Sequence, residues 1–188
     1  MGMYTHKSRY PSVRHNQATV APAKHLFHLT REGNVETLRM IGPESVGTWM
    51  IEGIASTPTV TSHNHSLAPI GCRLKLPLPL LSQHGFKKGE RTRVSNSLDE
   101  MRIGTVVYLS KSPHELRMRA VLDGTEAGLA AWRSIVTKET MALSVSSINA
   151  RLRGVVDGVQ YFDRWELSEI SVCASGANPD THLWVYQP

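Results

Sequence analysis

Residues 115–122 read Glu-Leu-Arg-Met-Arg-Ala-Val-Leu, and the apolar residues Leu116, Met118, Ala120 and Leu122 recur at every second position. That period belongs to a β-strand with one buried face; a helix would scatter the same residues around its surface. Further segments of β character run along the chain. Residues 35–41 and 48–55 read as strands, with Gly42-Pro43 opening the turn between them. Residues 56–70 are rich in Ser, Thr, Pro, Asn and His and read as a loop. Residues 74–81 alternate leucine with lysine or proline, and Pro77 and Pro79 lack the N–H a central strand donates, so an edge or irregular strand is expected. Strands follow at 103–109 and 115–122, with Ser112-Pro113 in the turn, and then at 141–148. Residues 159–162 and 165–173 form either a pair of strands or one long bent strand, and 183–186 a short last one. A single stretch has helical character. Asp123 and Glu126 have the spacing of a capping box, and Leu129, Trp132 and Val136 follow as one apolar stripe. The expected class is mainly β with one or two helices, folded as a barrel or strongly bent sheet.

A chain of 188 residues is of single-domain size. Residues 1–34 carry Lys7, Arg9, Arg14, Lys24 and Arg31 with little periodicity, and read as a flexible basic arm before a domain spanning 35–188. Residues 85–102 hold Lys87, Lys88, Arg91, Arg93 and Arg102 and read as a basic surface loop. The net charge of +5 would attract nucleic acid, acidic protein or an anionic membrane, and is equally the mark of a solvated basic face; no membrane partner is expected. Aromatic residues make up only 6% and do not interleave with the basic ones, so base stacking is poorly supported. Cys72 and Cys173 have no CxxC spacing and read as small buried apolar residues of a reducing compartment. No apolar run reaches the ~18 residues of a membrane span, and residues 1–17 lack an apolar secretion core. A soluble cytoplasmic protein is expected.

Nucleophilic hydrolysis by serine needs a hydroxyl, a base and a group that orients the base. Ser144 lies in Met-Ala-Leu-Ser-Val-Ser-Ser, at the apolar start of a strand, with Ser146 and Ser147 as close competitors. His84 ends an apolar segment and precedes a polar loop, a junction where a rigid support presents a side chain; imidazole titrates near neutrality, as a base must. Glu169 shares a strand face with Leu167, Ser171 and Cys173, where a carboxylate needs a partner; Glu166 on the opposite face is the alternative. The G-x-S-x-G elbow of α/β-hydrolases is absent. His63-Asn64-His65 is the sole H-x-H, without the third and fourth ligands of a metal site, and no glycine-rich phosphate loop is present. Neither a metal nor an organic cofactor is expected.

The order of these pieces resembles the caudovirus prohead serine proteases, capsid-maturation enzymes distantly similar to the herpesvirus assemblins. The matching pieces are Leu80-Leu81-Ser82-Gln83-His84, Ala142-Leu143-Ser144-Val145 and Leu167-Ser168-Glu169-Ile170-Ser171-Val172, with Ala177-Asn178-Pro179 behind them. Residues 48–55 resemble the family's opening strand. The resemblance implies Ser144 as nucleophile and His84 as general base. It implies Glu169, 25 positions after Ser144, where the assemblins carry a second histidine. The chain departs from the family in reading Leu-Ser-Val-Ser-Ser for Leu-Ser-Ile-Gly-Phe, in its long basic stretch after His84, and in lacking the arginine pair that serves the oxyanion in assemblins. The implied substrates are scaffold protein, the scaffolding segment of the major capsid protein and the protease itself, cut in the host cytoplasm or procapsid interior, with self-association into a homodimer. Two other readings stay open: an inactive capsid- or scaffold-associated protein of the same fold, and a basic β-barrel that binds nucleic acid.

Overall fold

The computed structural model describes residues 26–42, 47–85, 101–139 and 141–187. Eleven strands form one sheet: β1 (Leu26–Glu32), β2 (Val35–Ile41), β3 (Met50–Ser56), β4 (His65–Leu67), β5 (Cys72–Arg73), β6 (Leu78–Ser82), β7 (Arg102–Lys111), β8 (Leu116–Leu122), β9 (Ala142–Val156), β10 (Val159–Cys173) and β11 (His182–Val185), with helix α1 (Glu126–Val136) between β8 and β9. The path β11-β3-β8-β7-β6-β10 continues to β9, which pairs antiparallel with β10. A backbone bond from Leu183 N–H to the Met141 carbonyl, 3.1 Å, brings β11 back to the foot of β9. The sheet therefore curls almost closed around one core. Ile51, Leu80, Leu109, Leu116, Met118, Leu143, Ile170 and Leu183 fill it, each with at most 1% exposure. Burying such a side chain is worth about 1.5–3 kcal/mol, so the curl is driven by closing the apolar faces on each other. Gly53 marks the tightest seam. A Cβ there would come within 2.6 Å of Leu143 and 2.5 Å of the His182 carbonyl, so β3, β9 and β11 approach only because it has none.

The mainly β class with one helix is observed, and residues 35–41 form a strand with the expected bounds. Several expectations are corrected. Residues 26–32, assigned to the flexible arm, form β1, which pairs along its whole length with β2; a two-residue turn at Gly33 (φ 57°) makes the hairpin local, and the alternation is hidden because β1 is exposed on both faces. Residues 1–25 and the basic stretch 86–100 lie outside the described residues. The loop expected at 56–70 contains β4, a three-residue strand whose partner, residues 160–162 of β10, is remote in sequence. β6 is not an edge strand: it pairs with β7 on one side and β10 on the other. Pro79 is accommodated because the β10 ladder begins only at Leu80. The cap of α1 is Thr125, whose hydroxyl accepts from Gly128 N–H at 3.2 Å, whereas Asp123 forms an ion pair with Arg102 at 3.4 Å. The inward face of α1 is Gly128, Ala131, Trp132 and Ile135 rather than the stripe ending at Val136, which is 54% exposed. Residues 159–173 are one strand, bent by register shifts in its pairing with β9.

Candidate active site

Three neighbouring strands bring the candidate residues together. β10 carries Glu169 and lies in the middle, β6 ends beside it at Ser82 and leads through a turn to His84, and β9 flanks its other edge with Ser144 and Ser146. In the register of β9 and β10, Ser144 faces Ser171 and Ser146 faces Glu169. A shift between Leu167 and Glu169 inserts Ser168 at this point, and its hydroxyl donates to the Ser146 carbonyl at 2.9 Å. The topology thus makes neighbours of residues separated by as many as 87 positions.

His84 and Glu169 form the centre of the site. Nδ1 of His84 lies 2.6 Å from Oε1 of Glu169, which is only 2% exposed. The same Oε1 accepts the hydroxyl of Ser146, and Oε2 accepts that of Ser171 at 2.6 Å. Burial pushes the Glu169 carboxyl up, but the His84 ring and the two hydroxyls outweigh it and hold the group below the ordinary glutamate value of 4.5. The carboxylate is therefore ionised at neutral pH and accepts from three donors. An ionised carboxylate at Nδ1 sets the ring tautomer: Nδ1 carries the proton and donates, and Nε2 keeps its lone pair.

The backbone at His84 is unusual. Gln83 and His84 are both left-handed, with φ 51° and 57°, a region that costs a residue with a Cβ roughly 1–2 kcal/mol. The backbone N–H of His84 donates to Ser171 Oγ at 3.1 Å. The sharp turn lifts the imidazole off the end of β6, leaving it a quarter exposed.

The site opens into a cleft of about 1060 Å³. His84, Ser144 and Ser146 line one wall, His63 and His65 another, and residues 174–178 a third. No aspartate, glutamate, lysine or arginine is among its described lining residues. Gly176 sets the third wall: a Cβ there would lie 2.2 Å from Thr181 Oγ1 and 2.6 Å from the Leu143 carbonyl, so the segment presses on β9 directly before Ser144.

Ser144 is 9% exposed and lines the cleft, but among the described residues its hydroxyl has no hydrogen bond to His84 or Glu169. Ser146 lies closer to the ring, with Oγ 3.4 Å from Nδ1. Glu166 is not brought to His84; it pairs with Arg73 of β5 at 3.3 Å. Cys72 and Cys173 are free and buried, and burial pushes their thiols up to about 12 and about 11. His65 is lowered by its own burial and then by His63, and no group of three or more metal-ligating side chains occurs among the described residues. Two participants escape sequence reasoning: the anchoring role of Ser171 and the cleft-lining position of His63 and His65. The alternation in β10 places Ser171 on the face of Glu169, but nothing in the sequence shows that β6 delivers the His84 amide to the same hydroxyl.

Neither a protein-family model nor a curated protein sequence matches this chain. Among solved structures it is similar to the Kaposi's sarcoma-associated herpesvirus protease bound to a hexapeptide phosphonate inhibitor, with 15% identity, a TM-score of 0.45, and coverage of 75% of this chain and 66% of that one. A second structure of that viral protease, bound to an allosteric inhibitor, aligns at 17% identity and a TM-score of 0.42, covering 74% of this chain and 76% of the other.

Proposed function

We propose that the chain is a serine endopeptidase in which Ser144 is the nucleophile, His84 the general base and Glu169 the group that orients the base. The observation that carries this reading is the 2.6 Å contact between His84 Nδ1 and Oε1 of the buried Glu169 at the wall of a serine-lined cleft. With Nδ1 engaged, Nε2 is the nitrogen left to take a proton. The hydroxyl of Ser144 attacks a peptide carbonyl carbon and gives its proton to Nε2; the amine leaves with that proton, and an acyl-enzyme remains. Water then attacks the ester, again losing a proton to Nε2; that proton passes to the Ser144 oxygen as the ester C–O bond breaks, and the carboxylic acid is released. Ser146 has a different part. It donates to Glu169 on the Nδ1 side of the ring, where the nitrogen already bears a proton and accepts none.

The substrates that suit this reading are scaffold protein and the scaffolding segment of a major capsid protein, cut within a phage procapsid in the host cytoplasm. The protease itself is a further substrate, and a homodimer its state of assembly. A fluorophosphonate probe, which phosphonylates an activated serine with loss of fluoride, tests the chemistry. Label on Ser144, located by peptide mass analysis and lost in Ser144→Ala, is the expected result; a folded chain that takes no label at any serine overturns it. Co-expression with the neighbouring capsid and scaffold genes then tests the substrates: wild type should cleave them and Ser144→Ala should not.

A second reading makes Ser146 the nucleophile; it takes the other ring tautomer, with Nδ1 as the base, and is favoured by the 3.4 Å from Ser146 Oγ to Nδ1. It predicts label on Ser146 and its survival in Ser144→Ala.

A further inference from the structure

We infer that Ser171 is a positioning residue for the hydrolytic centre, a single hydroxyl that fixes both the carboxylate of Glu169 and the backbone that presents His84. The inference rests on the hydrolase reading above and adds to it a residue that does not touch substrate.

Ser171 is completely buried, at 0% exposure. Its Oγ donates to Glu169 Oε2 at 2.6 Å and accepts the His84 N–H at 3.1 Å. A hydroxyl has one proton and two lone pairs, so both bonds are made at once. A buried serine in a strand commonly satisfies itself on nearby backbone. Here one partner is a buried anion and the other an amide 87 positions away in sequence.

Both partners need such an anchor. β6 follows β10 in parallel register up to the pair Ser82 and Val172, and the chain then leaves the sheet through two left-handed residues. At that turn the ladder ends, and the His84 amide finds its acceptor in a side chain of the neighbouring strand instead. The carboxylate meets the ring and Ser146 through Oε1, which leaves Oε2 to fix its rotation, and Ser171 is the donor there. One atom therefore sets the angle of the carboxylate plane and the place from which the imidazole projects. A misplacement of either changes the alignment on which proton transfer depends.

The experiment compares the unaltered chain with Ser171→Ala. Rates of fluorophosphonate labelling are measured across a pH series, together with thermal melting and circular dichroism. Ser171→Ala should fold, label at least tenfold more slowly, and show the acid limb of its pH profile moved to higher pH. The shift follows because a carboxylate that has lost a donor binds the proton of the imidazole more tightly. A merely structural serine would lower the melting temperature and leave the pH profile where it was. Labelling by Ser171→Ala at the parent rate with the parent profile overturns the inference. Amide hydrogen exchange on the unaltered chain decides the matter if Ser171→Ala does not fold: the His84 N–H should exchange slowly, and exchange at the rate of an open turn overturns the anchor. A parent chain that takes no label sinks the hydrolase reading itself, whereas a labelled parent matched by Ser171→Ala sinks the role of Ser171 alone.

Discussion

Among the described residues two glutamates are buried, and they are held in different ways. Glu52 on β3, 6% exposed, faces Arg119 on β8, bonds its Nε, and bonds Arg117 Nη1 at 3.1 Å. Arg119 also lies over the rings of Tyr108 and Tyr186, at 4.7 and 4.2 Å from their centroids. Every partner of Glu52 keeps its charge at any accessible pH, so the cluster is static. Glu169 meets an imidazole and two hydroxyls. Its nitrogen partner is an imidazole at the wall of a cleft. Burial of a carboxylate therefore does not by itself mark chemistry; an imidazole partner at a cleft open to a substrate does.

The largest expected effect breaks the two apart by activity. Glu169→Gln keeps the shape of the side chain but reverses the hydrogen-bonding preference at Nδ1. Labelling should fall by about 10³–10⁴-fold, the scale on which a wrong histidine tautomer acts. Glu52→Gln should change the same rate by less than about threefold. Parallel labelling of the two variants is the check, and equal losses would erase the distinction drawn between the two acids.

Stability should register the Glu52 cluster where labelling does not. Glu52→Ala leaves Arg119 without its anion and Arg117 with Glu115 alone, at 3.0 Å, but both side chains are about one-third exposed and can turn to water. The expected loss is about 1–2 kcal/mol, which lowers the melting temperature by roughly 3–6 °C in a chain of this size. An unchanged melting temperature would mean that the cluster around Glu52 is neutral to folding. Ser146→Ala lies below this in effect. It removes one of three donors to Glu169 and should slow labelling about three- to tenfold while leaving Ser144 as the labelled residue. Complete loss of labelling would transfer the nucleophile to Ser146.

The different legibility of the two acids follows from the sheet. Alternation along 116–122 and 167–173 discloses strands and their buried faces, so Glu169 stands out as a carboxylate among Leu167, Ser171 and Cys173. Glu52 is hidden, because its partners on β8 look like the solvent face of an alternating strand. The histidine at the end of β6 and the serines of β9 are visible singly; their meeting depends on a β6-β10-β9 order that no local pattern encodes. Pro79 points away from the right answer, since a proline in a strand argues for an edge and β6 is central. The long pairing of β9 and β10 is half visible: its outer part is exposed on both faces and so carries no period of two in burial.

The smallest effect concerns acid. A carboxyl held below its unfolded value binds a proton more weakly in the folded chain, so it stabilises the fold above that value, and the contribution is lost as pH falls through the lowered one. For Glu169 the loss begins below pH 4.5, the ordinary glutamate value, and the titratable group facing it directly is His84. Glu36, Asp163 and Asp180 are also held low, by Arg31 foremost, by Arg151 foremost and by the Thr59 and Thr57 hydroxyls respectively. They weaken the parent and Glu169→Gln alike, so the difference between the two chains isolates Glu169. Melting temperatures measured from pH 6 to pH 3 should converge below pH 4.5, because the amide of Glu169→Gln has no charge to lose. Curves that stay parallel through this range would mean that Glu169 is already protonated at neutral pH. An acid in that state would not hold the imidazole in the tautomer that the base needs, and Glu169 would then belong with Glu52 among the structural carboxyls.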